Sequence, residues 1–356
     1  MGQNGCSRSE KGKRGKEGGL FSRQASHALR GLAILMVMAS HYGEWYAGAI
    51  GLPALSQLLM GLGRYGVDIF FLMSGYGLAK SASVKRPGCA FWIRRLRSTY
   101  LPYLILAGII EICAGGVYSA GRIVNYLLAQ EYWFIFNIMV FYLAFFLCFQ
   151  AKRFRIAALS FMTAAFSAWL SGMGRQDFWY VSNLAFPLGA ALGLYEKRVL
   201  EWGRKNRLPA AAFGILLSIL CVFLIPAAMK ERTLLLQTGG RGRLQLLSNT
   251  LFALWIGMLF CLKGWGDERK KLPETAGAPG RAVCRFLGFF GKNSLYLYLL
   301  HAFLYYQVVN RLSLGTPGGF AAALGSAVLG AGLFSLLWEW LWKWVDRAAP
   351  QRRRGG

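Results

Sequence analysis

Long apolar blocks recur along the whole of this 356-residue chain and restrict the folds that it can adopt. Each block is about 20 residues long, which as an α-helix is enough to cross a hydrocarbon core about 30 Å thick. A backbone surrounded by lipid has to satisfy its own hydrogen bonds, and segments of this length do so as helices. The alternation of polar and apolar residues that marks a membrane β-barrel is missing. The sequence therefore predicts an all-α, polytopic membrane helix bundle.

Composition agrees with a bundle of about ten transmembrane helices. Hydrophobic residues make up 55% of the chain and charged residues only 16%, whereas soluble domains carry about 25% charged residues. The predicted helices lie near residues 28–46, 65–82, 98–117, 132–150, 156–173, 178–195, 208–227, 246–263, 288–309 and 319–342.

The formal net charge of +26 follows membrane topology rather than nucleic-acid binding. Most of the 41 Lys and Arg residues lie in the two tails and in every second connecting segment. Cytoplasmic segments of membrane proteins carry such an excess of Lys and Arg. Both termini are therefore predicted to be cytoplasmic. The basic segments are expected to attract anionic membrane lipid, and no nucleic-acid partner is expected.

Three segments are expected along the chain. Residues 1–27 are rich in Gly, Ser, Lys and Arg and should form a disordered basic cytoplasmic tail. Residues 28–345 should form the transmembrane domain, and residues 346–356 a second basic tail. Because no loop is long enough for a separate soluble domain, the function is expected to reside in the membrane bundle. The protein is predicted to be a multi-pass protein of the cell (inner or plasma) membrane.

The first predicted helix carries Arg30 at its cytoplasmic end and His41 deep in its other half. Eleven residues are about three helical turns, so the two side chains project from nearly the same face, about 16 Å apart along the axis. That spacing suits a long substrate with an anionic head at the inner face and a reactive end near His41. Glu44 lies one turn beyond His41. The alternative is that Arg30 contacts lipid phosphates while His41 bonds a neighbouring helix.

The second predicted helix contains Asp68, at about the depth that His41 reaches from the other direction. A carboxylate next to an imidazole fixes its tautomer and raises its basicity, as a general base requires. Alternatively, Asp68 caps the start of its helix. Further along, Ser74 and Gly75 belong to a patch of small residues where another helix or a slender ligand can approach closely.

Arginines cluster at the cytoplasmic entry of the third predicted helix. Arg94 and Arg97 are three residues apart and share a helical face, and arginine suits bidentate contacts with phosphate. In the ninth predicted helix, His301 is the only other intramembrane histidine, predicted either to orient substrate or to hydrogen-bond across helices. Since no His and Cys residues cluster with the spacing of metal ligands, no metal site is expected.

These features, in this order, resemble the acyltransferase-3 family of bacterial membrane acyltransferases. The resemblance rests on Arg30 and His41, on GVDIFFLMSGYGL in the second helix, on the Arg-x-x-Arg of Arg94 and Arg97, and on the late segment GKNSLYLYLLH. It covers nearly the whole chain and implies a ten-helix enzyme. Such enzymes move an acyl group, commonly acetyl from acetyl-CoA, onto a sugar hydroxyl of an envelope or secreted glycan. The resemblance also implies that His41 is catalytic and that the arginines serve the acyl-CoA donor.

The mechanism expected from the residues and the resemblance together has no bound cofactor, since acyl-CoA is a substrate. The phosphates of acyl-CoA bind Arg94, Arg97 and Arg30. Ser74 and Gly75 are also expected to bind the donor. His41, oriented by Asp68 or Glu44, removes the proton of an acceptor hydroxyl on a glycan or lipid-linked sugar, while His301 orients substrate. The alternative function is a transporter or flippase of a glycan or lipid precursor, with His41 and Asp68 relaying protons.

Overall fold

The computed structural model describes residues 20–44, 51–113, 119–238, 243–265, 278–312 and 317–348. The helices are α1 Arg23–Tyr42, α2 Pro53–Val84, α3 Cys89–Arg95, α4 Leu101–Cys113, α5 Ala120–Leu127, α6 Trp133–Cys148, α7 Arg155–Gly172, α8 Ala185–Lys205, α9 Arg207–Thr238, α10 Arg243–Trp265, α11 Ala278–Lys292, α12 Ser294–Leu312 and α13 Pro317–Ala348. A π-helical turn, Leu96–Tyr100, joins α3 to α4, and a 3₁₀ turn, Asp177–Trp179, precedes α8. No strand occurs in these described ranges, so the predicted all-α class is confirmed.

Several of these helices are built to cross a membrane. Among the described residues, five segments are long and apolar enough: Leu55–Val84, Cys89–Cys113, Arg207–Lys230, Arg243–Cys261 and Ala321–Arg347. Two apolar segments are shorter, Trp133–Cys148 and Ser294–Tyr305. The membrane location is therefore confirmed, whereas the count of ten spans and the cytoplasmic location of both termini stay predictions.

The observed helix boundaries differ from the predicted ones at several places. α2 begins at Pro53 and not near residue 65, because Pro at the first helical position is already set to helical φ. The third span begins at Cys89. The predicted helix 288–309 is divided between α11 and α12 at Asn293, whose side-chain amide donates to the Phe289 carbonyl at 3.0 Å.

α2 holds the centre of the bundle and packs against both α1 and α8. Its contact with α8 depends on glycines on both sides. Gly75 lies against the carbonyl of Phe186, and Gly189 lies against the carbonyl of Leu72. Because small residues let membrane helices approach until their backbones touch, these positions fix the distance between α2 and α8.

α1 packs against α11 in the same way. A Cβ atom on Gly31 would overlap the carbonyl of Leu287, and one on Gly291 would overlap the carbonyl of His27. The two glycines therefore hold the first half of α1 against α11.

Replacement of Gly291 by Ala is expected to lower the stability of the bundle by about 1–3 kcal/mol, the usual cost of overpacking. The added methyl group meets backbone atoms of α1, which cannot rotate away as a side chain can. Gly288→Ala on the same helix is the matched control, because a Cβ there meets nothing within 4 Å. The thermal unfolding midpoint of the detergent-solubilised protein measures the difference. Equal midpoints for the two variants would contradict the packing argument.

A buried carboxylate fastens the segment before α1 to the bundle. Glu196 of α8 is 4% exposed and accepts a hydrogen bond from the Tyr76 hydroxyl at 2.8 Å. It also accepts from the backbone amide of Leu20 and forms an ion pair with Lys80. Phe21, in the predicted basic tail, is buried. From Leu20 onward the chain is thus packed on the bundle, whereas most of the predicted tail 1–27 lies outside the described residues.

Candidate active site

α1 carries the two groups that define the ends of the site. Arg30 lies in its first half and His41 near its end, so they mark the Arg30 end and the His41 end of the bundle. α2 runs antiparallel beside it, since the Ser40 hydroxyl donates to the Met60 carbonyl at 2.9 Å. The His41 end therefore also contains the first half of α2.

His41 has a carboxylate and a second imidazole beside it. The Oε2 atom of Glu44 lies 3.4 Å from His41 Nδ1. The ring of His301, from α12, lies 5.1 Å from the His41 ring, centroid to centroid. The structure thus brings together three predicted site residues, two of them separated by most of the chain. An imidazole oriented by a carboxylate is the arrangement that a general base requires.

His301 is buried, with 1% of its surface exposed, and its hydrogen bonds fix the roles of its two ring nitrogens. Its Nδ1 lies 2.9 Å from the carbonyl oxygens of Leu297 and Tyr298. A carbonyl oxygen only accepts, so Nδ1 carries the proton and Nε2 presents a lone pair. Within the described part of the chain, Nε2 has no hydrogen-bond partner. His301 therefore offers an acceptor atom beside His41.

Asp68 is fully buried in a polar network that joins α2 to α10. Its Oδ2 accepts from the Asn249 side-chain amide at 2.8 Å, and the same amide nitrogen lies 3.1 Å from Ser182 Oγ. Gln245 donates to Asn249 Oδ1 at 2.5 Å. Such networks stabilise helix contacts inside a membrane. Of the two predicted carboxylates, it is Glu44 that the structure places in ion-pair distance of His41, so an orienting role of Asp68 stays a prediction.

The predicted donor residues on α2 lie at the packed face of the helix. Ser74 is partly buried, and Gly75 is in backbone contact with α8. A packing role of Gly75 is therefore seen directly. Its role in donor binding stays a prediction.

The three clustered arginines of the third span point to different surroundings. Arg94 is exposed. Arg97 forms a bidentate ion pair with Asp346 of α13, at 3.1 and 2.9 Å, and its guanidinium stacks on Trp342 at 4.1 Å from the ring centroid. Arg94 and Arg97, predicted to share one helical face, thus have different surroundings: Arg94 is exposed and Arg97 contacts α13.

Arg95 is the residue that the sequence did not single out. Its guanidinium lies over the rings of Phe91 and Tyr142, 5.9 and 5.5 Å from their centroids. Its Nε is buried without a hydrogen-bond partner among the described residues. It interacts electrostatically with the partly buried Arg30. The sequence shows three arginines in four residues, but their spacing does not show which of them packs on aromatic rings of the bundle.

One end of this apolar bundle holds an imidazole with a carboxylate oxygen 3.4 Å away, and the other end holds Arg30 and Arg95. Ionisable groups inside a membrane bundle mark a candidate functional site. The family model of acyltransferase-3, described as an acyltransferase domain, matches residues 23–336. No curated protein and no solved structure matches the chain. The chain belongs to the acyltransferase-3 family and is an acyltransferase.

Proposed function

We propose that the protein transfers an acyl group, acetyl by default, from cytoplasmic acyl-CoA to a hydroxyl of an envelope or exported glycan or of a lipid-linked sugar. The observation that carries this proposal is the pairing of His41 with Glu44 and His301 at one end of α1, with Arg30 in the first half of the same helix. The proposed setting is the cell membrane, with ten spans and both termini cytoplasmic.

In the proposed reaction, His41 removes the proton from the acceptor hydroxyl while Glu44 holds the imidazole in position. The hydroxyl oxygen attacks the thioester carbonyl, the new ester bond forms, and the carbon–sulfur bond breaks. The departing CoA thiolate takes the proton back from His41. His301 orients the acceptor by accepting, at Nε2, a hydrogen bond from a second hydroxyl group of the sugar. No bound cofactor takes part.

The donor is proposed to bind at the Arg30 end. Two like charges, Arg30 and Arg95, lie within interaction range of each other, and an anionic phosphate would compensate both. Arg97 joins the site when it leaves Asp346, and Arg94 stands at the exposed rim. The pantetheine arm then runs past Ser74 of α2 toward His41.

Replacement of Asp346 by Asn is expected to lower the KM for acetyl-CoA by about two- to fivefold. The Arg97–Asp346 pair is exposed, so it is worth no more than about 1 kcal/mol, and the carboxylate competes with the donor phosphate for Arg97. Glu339→Gln is the control, since Glu339 pairs with Lys292 instead, at 2.8 Å. Steady-state kinetics in membrane vesicles give both KM values. A higher KM for Asp346→Asn would show that the pair holds Arg97 in its binding position.

The function is tested with acetyl-CoA labelled in its acetyl group, supplied to the cytoplasmic side of membranes that contain the protein. Label is followed into free acetate and into the glycan and lipid fractions, beside membranes without the protein. Protein-dependent release and transfer of label establish the donor and the acceptor fraction, and parallel assays with succinyl-CoA and longer acyl-CoA identify the acyl group. Absence of turnover and of binding for every acyl-CoA would contradict the proposal.

A further inference from the structure

α5 folds back along the outer side of α4, with most of its side chains exposed. The Arg122 guanidinium pairs with Glu111 at 2.8 Å, near the end of α4. Five residues later, the Leu127 carbonyl accepts from the Tyr100 hydroxyl at 2.7 Å, at the start of α4. Between these contacts, the Tyr103 hydroxyl donates to the Tyr126 carbonyl. The two helices are therefore antiparallel, and the chain after α5 reaches well below the end of α4.

The length of α6 independently indicates that the turn between α5 and α6 lies below the end of α4. Gln150, just after α6, donates to the Pro87 carbonyl at 3.0 Å, so the end of α6 and the start of the third span lie at one level, at the Arg30 end. α6 has 16 residues, about 24 Å, whereas Cys89–Cys113 has 25, about 37 Å. The turn that precedes α6 therefore lies roughly 13 Å short of Cys113.

This turn, residues 128–132, carries polar side chains and an irregular backbone to that depth. Ala129 has a left-handed φ of 56°, which redirects the chain between α5 and α6. Gln130 accepts a hydrogen bond from Arg175 at 3.1 Å, and Glu131 is exposed. Non-helical backbone at membrane depth is tolerated only inside protein or beside a water-filled cavity, and an exposed carboxylate there requires water.

The turn also lies next to the histidine pair. Phe134, at the start of α6, packs on Tyr298 with ring centroids 5.1 Å apart. Tyr298 is one helical turn before His301, and their ring centroids are 6.2 Å apart. The contact of Phe134 with Tyr298 therefore connects the turn that carries Glu131 to the histidine pair.

We infer that the turn 128–132 lines a water-filled vestibule, open at the His41 end, through which a polyhydroxylated acceptor reaches the histidine pair. The Glu131 carboxylate accepts hydrogen bonds from the acceptor's hydroxyl groups. The identity of the occupant rests on the proposed acyl transfer, whereas the access of water to Glu131 rests on the fold alone.

Access is tested by cysteine labelling in the full-length protein in which Cys6 and the exposed or partly exposed Cys89, Cys113 and Cys284 are replaced by Ser. Glu131→Cys is treated with a membrane-impermeant, charged thiol reagent on either side of sealed vesicles. Val124→Cys on α5 is the matched control, because Val124 is 52% exposed but lies on the apolar face of that helix. Labelling of residue 131 from the non-cytoplasmic side, at least about tenfold faster than of residue 124, is the expected result. No labelling of residue 131, or labelling from the cytoplasmic side only, overturns the vestibule.

The occupant is tested by the ratio of acetyl transferred to acetyl hydrolysed, measured in vesicles that contain labelled Glu131→Cys, and separately with unlabelled Glu131→Gln. Loss of a hydrogen bond to a charged group is expected to lower this ratio about tenfold or more in Glu131→Gln, and the bulky label should lower it further. An unchanged ratio in both overturns the acceptor role. If the wild-type protein turns over no acyl-CoA, the proposed function fails, and the labelling result still decides on the vestibule.

Discussion

Replacement of His41 by Ala is expected to lower acyl transfer by about 10²–10⁴-fold, the usual contribution of a positioned general base. His41 is the imidazole that a carboxylate oxygen approaches, at 3.4 Å, and His301 faces it across the bundle. Ala removes the ring without adding volume, so the bundle should keep its fold. Initial rates with labelled acetyl-CoA, normalised to the amount of folded protein, measure the effect.

His27→Ala is the matched control for this experiment. It removes the same side chain from the same helix, and His27 lies more than three turns away from His41. Its rate is expected within about threefold of the wild-type rate, since no step of the proposed reaction uses it. A His41→Ala protein with full activity would end the general-base mechanism, and equal losses in both variants would point to damage to α1 instead.

The fold was largely readable from the sequence because membrane helices are set by local apolar length. The predicted helices near 132–150 and 156–173 correspond closely to α6 and α7. The departures have local physical causes. α2 starts early at Pro53, and Asn293 divides α11 from α12 by bonding back to Phe289. The helix α5 is missed by an apolar-length criterion, because it is only eight residues long.

The site was predictable in its residue types but less so in its pairings. Arg30 and His41 share one helix, so their spacing follows from helical geometry alone. The approach of His301 to His41 depends on how α12 packs, which no local pattern encodes. Asp68 was predicted at the level of His41, but α2 places Met60 beside Ser40 and Gly66 beside Ala33, so Asp68 lies further toward the Arg30 end. The packing of α10 supplies Asn249 as its partner. Buried Glu196 gave no signal in the sequence, because its partners Tyr76 and Lys80 lie on another helix.

Replacement of Arg95 by Gln is expected to raise the KM for acetyl-CoA by at least about thirtyfold. Loss of one partner of a buried, hydrogen-bonded charge pair costs about 2–5 kcal/mol, and 1.4 kcal/mol is a factor of ten. Arg95 Nε is buried without a described partner, and the neighbouring charge is the cation of Arg30. Two neighbouring cations repel each other, so the protein keeps them at a cost that a bound phosphate offsets.

Arg94→Gln separates this effect from a general loss of positive charge. Arg94 is adjacent in sequence and carries the same charge, but it is exposed, and an exposed charge contributes no more than about 1 kcal/mol. Its KM for acetyl-CoA should rise no more than about fivefold, while kcat stays close to wild type in both variants, because neither arginine reaches the reacting atoms. Because Arg95 also contacts the rings of Phe91 and Tyr142, the unfolding midpoint of Arg95→Gln has to be shown equal to that of Arg94→Gln. With equal midpoints, equal KM values for the two variants would mean that the phosphate binds at the exposed rim and that Arg95 serves only the packing of α3 on α6.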